Sequence, residues 1–133
     1  MPPSHKHIVT SPKLPTARGP YSPAIRVGNM LFVSGYGPID PETDEVVKGD
    51  FATQVRLTLD NVKTLLEEAG GALDDVVKTT VYLSDMDNFP ALNEIYATYF
   101  VSDPPARTTI QAARLPLDID VEIDCIAHLR TTE

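Results

Sequence analysis

The chain has 133 residues, 42% of them apolar and 23% charged, and its 11 basic and 19 acidic side chains give a formal net charge of −8. This length allows one hydrophobic core and argues against a second. The negative charge opposes binding to phosphate backbones or anionic lipid, and the basic residues are scattered singly rather than gathered into a patch.

Cys125 stands alone, so no internal disulfide is available, and no CxxC or Cys/His spacing suggests a structural zinc site. A reducing, cytoplasmic setting is therefore expected. No run approaches the roughly 18 apolar residues of a membrane span. The opening MPPSHKHIVT lacks the apolar centre of a signal peptide. Residues 1–133 are expected to form a single domain, within which residues 1–7 are mobile.

In chain order, Ala24–Val27 and Met30–Ser34, joined at Gly28-Asn29, predict a tight hairpin. Its residues Ile25, Val27, Leu31 and Val33, with Met30 and Phe32, give both of its faces apolar character. Between Asp50 and Gly71, Phe51, Val55, Leu59, Val62, Leu66 and Ala69 recur at spacings of three and four, which predicts a helix. Asp50 is placed to cap it and Gly70-Gly71 to end it. The β-branched stretch Asp75–Ser84 reads as a strand with Val77, Thr79, Val81 and Leu83 on one face. A second helix follows, capped by Asp87 or Asn88, with Pro90 in its first turn and Leu92, Ile95, Tyr96, Tyr99 and Phe100 as its buried stripe. Arg107–Ala112 is extended, and Ile119–Leu129 alternates cleanly, with Ile119, Val121, Ile123, Cys125, Ala127 and Leu129 pointing one way. The order β-β-β-α-β-α-β-β describes an α+β two-layer sandwich, a sheet of about six strands covered by two helices on one face. Apolar groups on the uncovered face favour a homo-oligomer.

Two groups of side chains could carry chemistry. Arg107, at a strand start after the rigid Pro104-Pro105 pair, has a planar fork suited to holding a carboxylate, although a surface arginine paired with an acid is the ordinary alternative. Asp120, Glu122 and Asp124 share one strand face, where mutual repulsion and partial desolvation can raise a carboxyl pKa toward general-base use; a solvated face is the plain alternative. Regular spacing along a stiff strand converges poorly on one ion, so no metal is expected. The segments Gly19-Pro20-Tyr21-Ser22-Pro23 and Ser34-Gly35-Tyr36-Gly37-Pro38 read as turns presenting hydroxyls. Neither a Ser-His-Asp nor a Cys-His arrangement has support.

Taken together and in order, Gly19-Pro20-Tyr21-Ser22, Gly28-Asn29-Met30 with Val33-Ser34-Gly35, Leu59-Asp60-Asn61-Val62-Lys63, Val76–Val81, Pro105-Ala106-Arg107-Thr108 and Val121-Glu122-Ile123 resemble the RidA (YjgF-type) family of reactive-intermediate deaminases. The resemblance runs from about Ile8 to Leu129. It implies a chorismate-mutase-like fold and a homotrimer with active sites in the clefts between subunits. The implied activity is hydrolysis of 2-imino acids or enamines, of the 2-iminobutanoate and 2-iminopropanoate type, to 2-keto acids and ammonia, without cofactor or metal. By that resemblance Arg107 holds the substrate carboxylate and Glu122 activates water, while Tyr21, Ser34 and Asn93 complete the cleft and backbone groups at Thr109 contact the imine. Many members have glutamine where this chain has Tyr36 and cysteine where it has Thr109; the larger Tyr36 leaves two readings open, a reshaped pocket or a different preferred substrate. A non-enzymatic relative that binds small carboxylates, or acts as a holdase, is the competing expectation.

Overall fold

Alternation in the strands and threefold-to-fourfold spacing in the helices produce two layers in the computed structural model, which describes residues 5–130. The strands are β1 (His7–Val9), β2 (Ala24–Val27), β3 (Met30–Tyr36), β4 (Val76–Leu83), β5 (Ala106–Gln111) and β6 (Val121–His128); the helices are α1 (Phe51–Glu68) and α2 (Phe89–Tyr99). They form one six-stranded sheet in the order β1-β2-β3-β6-β4-β5. Every neighbouring pair is antiparallel except β4 and β5, which run parallel because α2 carries the chain back between them. Of the stretch expected to be mobile, His7 pairs with Arg26 in the first ladder, and residues 1–4 lie outside the described residues.

The core lies between sheet and helices. Leu31, Val33, Val81, Leu83, Val121, Ile123 and Cys125 point inward from the strands, against Val55, Leu59, Val62, Leu65 and Leu66 of α1 and Leu92, Ile95 and Tyr96 of α2. The Asp50 carboxylate accepts from the Thr53 N–H at 2.8 Å to start α1. At its end the Gly71 N–H reaches the Leu66 carbonyl and the Gly70 N–H the Glu67 carbonyl, with Gly70 at a φ of +89°. That pair of bonds turns the chain back and needs a residue free of the left-handed penalty.

Both faces of the hairpin carry apolar groups, as expected: Ala24 pairs with Val33 and Arg26 with Leu31, so Leu31 and Val33 face the helices while Ile25 and Val27 face away. Two local expectations are corrected. In β4, a bulge between Val76 and Lys78 shifts the register against β6, turning Val76 inward and leaving Val77 47% exposed. At α2, Asn88 occupies the cap position without a side-chain bond; the Asp85 carboxylate instead accepts from the Asp87 N–H at 2.9 Å, capping the short turn that leads into the helix. The open face of the sheet carries a row that crosses four strands, Ile8–Ile25–Phe32–Ile126, with Ile8 and Phe32 exposed.

Candidate active site

The expected site residues fall into two groups on opposite faces of the sheet. Tyr82 of β4 pairs with Glu122 and faces away from the helices, whereas Thr79, three residues earlier and buried beneath them, pairs with Arg107. Strand alternation therefore sets Glu122 and Arg107 on different sides.

On the open face, Glu122 lies over Gly35. A Cβ on Gly35 would stand 2.6 Å from the Glu122 Oε2, so the absent side chain is what admits the carboxylate. Gly35 and Ser34 fall within a register shift between Val33 and Tyr36, a bulge that lets the chain turn the Ser34 hydroxyl toward the Ser22 carbonyl, which accepts from it at 2.6 Å. Tyr21 is half exposed, and its hydroxyl accepts from the Arg18 N–H at 3.1 Å. These residues, with Arg18, Ile39, Pro116 and Leu117, enclose a cavity of about 500 Å³.

The three carboxylates of β6 have different fates. Asp120 accepts from the Gln54 amide at 2.9 Å and the Ser84 hydroxyl at 2.8 Å, and Asp124 accepts from the Tyr82 hydroxyl at 3.0 Å. Glu122 has no such partner among the described residues and borders the cavity. Burial, and next the charge of Asp124, push its carboxyl above the usual glutamate value. Of the three, it is the one free to act on a ligand. Among the described residues no cluster of three or more His, Cys, Asp or Glu side chains is arranged to hold a metal ion.

On the helix side, the half-buried Arg107 donates to the Asn93 side-chain oxygen at 2.7 Å. Its guanidinium carbon stands 4.7 Å from the Tyr96 ring centre and 5.5 Å from that of Phe89. Tyr96 is in turn fixed by a 2.8 Å hydrogen bond between its hydroxyl and that of Thr79. Aromatic faces and one amide oxygen thus orient the cation without neutralising it. The Thr109 Oγ1 is buried nearby with no hydrogen-bond partner, and Thr109 borders an open hollow with Met86, Asp87, Phe89 and Pro90. Arg107, Asn93 and Thr109 gather on the helix side of the sheet, and Tyr21, Ser34 and Glu122 around the cavity on its open face.

Sequence reading missed Phe89 and Arg18. Phe89 opens a helix rather than lying in its buried stripe, and Arg18 carries no periodic or motif signal. Tyr36 packs against the core, 7% exposed, and borders a small hollow that shares Tyr21, Ser34, Gly35, Gly37 and Ile39 with the larger cavity; burial, followed by the nearby Tyr21 and Cys125, raises its phenol pKa strongly.

The two-layer α+β sandwich thus carries an anchored arginine on its helix side and a desolvated glutamate on its open face, and the sequence comparisons are specific about the family. The family model described as Endoribonuclease L-PSP matches residues 11–129, and the chain belongs to that family. A RutC family protein of Pyrococcus abyssi is 49% identical over 123 residues, covering 92% of this chain and 97% of that one. The 2-iminobutanoate/2-iminopropanoate deaminase of Escherichia coli is 41% identical over 125 residues, covering 92% and 97%. The crystal structure of RidA from an Antarctic Psychrobacter superposes with a TM-score of 0.90 at 39% identity, covering 92% of this chain and 99% of that one. Relatives of this chain thus include proteins named as deaminases, and no helix among the described residues is long and apolar enough to cross a membrane.

Proposed function

We propose that the protein hydrolyses reactive 2-imino acids and their enamine tautomers to 2-keto acids and ammonia, in clefts where the Arg107 half of one subunit meets the Glu122 half of the next in a homotrimer. The observation that carries this reading is the division itself. Each face holds a prepared but incomplete half, and the apolar row Ile8–Ile25–Phe32–Ile126 supplies a surface for a second copy of the chain.

The chemistry needs no covalent nucleophile. A protonated imine is already electrophilic, so the protein has to hold the substrate and direct one water. Arg107, kept in position by Asn93, Tyr96 and Phe89, pairs with the α-carboxylate; charge-assisted bonds of this kind are worth about 1.5–3 kcal/mol. Backbone groups at Thr109, which borders the hollow of Met86, Asp87, Phe89 and Pro90, contact the imine. Glu122, ionised, takes a proton from water as its oxygen adds to the protonated imine carbon, and passes that proton to the nitrogen. As the C–N bond breaks and ammonia leaves, the hydroxyl proton returns to Glu122 and C=O remains; ammonia then takes that proton and the carboxylate is restored. The raised pKa of Glu122 makes it a stronger base than an ordinary surface glutamate.

The test generates an imino acid in situ with an amino-acid oxidase and follows keto-acid release with and without the protein. Acceleration that is lost in Arg107→Ala and in Glu122→Gln is the expected result. No acceleration, or full activity in either variant, overturns the proposal. RNA cleavage in a parallel assay, without imine turnover, would transfer the function to the activity in the family's description. Carboxylate binding that needs Arg107 but not Glu122 would make the protein a binding module.

A further inference from the structure

The Glu122 cavity holds one cation that the proposed reaction does not use. Arg18 borders it, on the segment Pro15-Thr16-Ala17-Arg18-Gly19-Pro20, whose prolines restrict the backbone at both ends. Two long-range bonds fix that segment. The Thr16 N–H donates to the Asp44 carboxylate at 2.9 Å, and the Arg18 guanidinium donates to the Asp44 carbonyl. Asp44 presents both acceptors from a left-handed backbone conformation, φ 62°, held by its own N–H to the Asp40 carbonyl at 2.7 Å.

The guanidinium is therefore anchored by one N–H to a neutral acceptor. Among the described residues it forms no ion pair: the carboxylate of Asp44 is turned to Thr16, and Glu122, at the same cavity, is not within salt-bridge distance. Four further donors of its fork remain for a ligand. The lining of the same cavity also includes the apolar groups Ile39, Leu117 and Ile119.

We propose that Arg18 forms a second anion subsite, which binds the distal carboxylate of an imino dicarboxylate. This deepens the deaminase reading and rests on it: Arg107 holds the α-carboxylate, the apolar lining covers a short methylene chain, and Arg18 takes its charged end. The preferred substrates are then imines of acidic amino acids, 2-iminoglutarate or 2-iminosuccinate, and the reaction that supplies them is a two-electron oxidation of the amino acid at its α-carbon. Hydrolysis proceeds as before, water adding oxygen to the imine carbon and nitrogen leaving as ammonia, with the distal carboxylate unchanged.

The test compares kcat/KM for 2-iminoglutarate and 2-iminopropanoate, each generated by an amino-acid oxidase, in the wild type, Arg18→Leu and Arg18→Lys. The wild type is expected to favour the dicarboxylate. Arg18→Leu lowers the dicarboxylate-to-monocarboxylate ratio about tenfold or more, the scale of one lost charge-assisted bond, and Arg18→Lys restores part of it. Calorimetric titration with 2-oxoglutarate and 2-oxobutanoate reads the subsite without catalysis, with the preference for 2-oxoglutarate again lost in Arg18→Leu. Deamination with a ratio unmoved by Arg18→Leu refutes the subsite alone. Absence of any deamination, with 2-oxoglutarate binding still dependent on Arg18, refutes the deaminase reading and leaves the subsite standing. Equal binding of the two keto acids in the wild type refutes the subsite.

Discussion

Replacing Gly35 by alanine perturbs the proposed base through a single methyl group. The new Cβ would lie 2.6 Å from the Glu122 Oε2, 2.8 Å from its Cδ and 3.1 Å from its Cγ, whereas ordinary contact begins at 3.4 Å. The carboxylate must withdraw by about 0.8 Å, and it is the movable end of the side chain that yields. Gly35 is not in the left-handed region, so alanine brings no backbone strain there. Folding should change little: relief of unfolded-state entropy offsets the local crowding to within about 1 kcal/mol, or about 4 °C in Tm for a domain of this size. Catalysis should suffer far more, since misplacing a reacting group by about 1 Å costs up to about 100-fold. Steady-state deamination and thermal unfolding of Gly35→Ala are measured side by side. Turnover is expected to fall by roughly one to two orders of magnitude while Tm stays near native. Undiminished turnover in a folded Gly35→Ala protein would show that the Glu122 carboxylate does not act from this position.

Glu122→Gln should abolish turnover while raising Tm near neutral pH. The folded pKa of Glu122 is raised, so its favourable contribution to stability is full below the unfolded value near 4.5 and is lost as pH rises through the folded value; the neutral glutamine escapes that loss, and melting curves of the two proteins converge in acid. The acid limb of the kcat/KM profile should lie above the ordinary glutamate range for the same reason. Asp124→Asn, which keeps a side-chain oxygen for the Tyr82 hydroxyl, should move that limb to lower pH by removing the second cause of the shift. Leu59→Ala, at a fully buried position in the centre of α1, should cost about 2–5 kcal/mol in urea unfolding, and a value below about 1 kcal/mol would contradict the packing described.

The repetitive part of the fold was legible because burial imposes periods. The α1 stripe, its Asp50 cap and its Gly70-Gly71 stop all follow from local rules, and the β6 alternation from Val121 to Ala127 is inward at every second residue. What escaped depends on insertion or on distance. A bulge of one residue reverses the faces of Val76 and Val77, and nothing in a β-branched run announces where the extra residue sits. The hairpin reads correctly as apolar on both faces, but which residues share a face is decided by the two-residue turn and the pairing it sets. Motif context singles out Arg107 and Glu122 as candidates, but nothing in that context tells that the sheet separates them. Arg18 was missed because its position depends on Asp44, far along the chain and on an irregular loop.

The placement of Arg107 and Glu122 on opposite faces also has a genetic reading. If each cleft draws its arginine from one chain and its glutamate from the neighbour, a chain lacking only Arg107 and a chain lacking only Glu122 are each inactive alone. Refolded together, they complement one another. With random assortment in a closed ring, about a quarter of the clefts receive both intact halves. Two defective alleles would then yield a working protein, which a site contained within one chain could never allow.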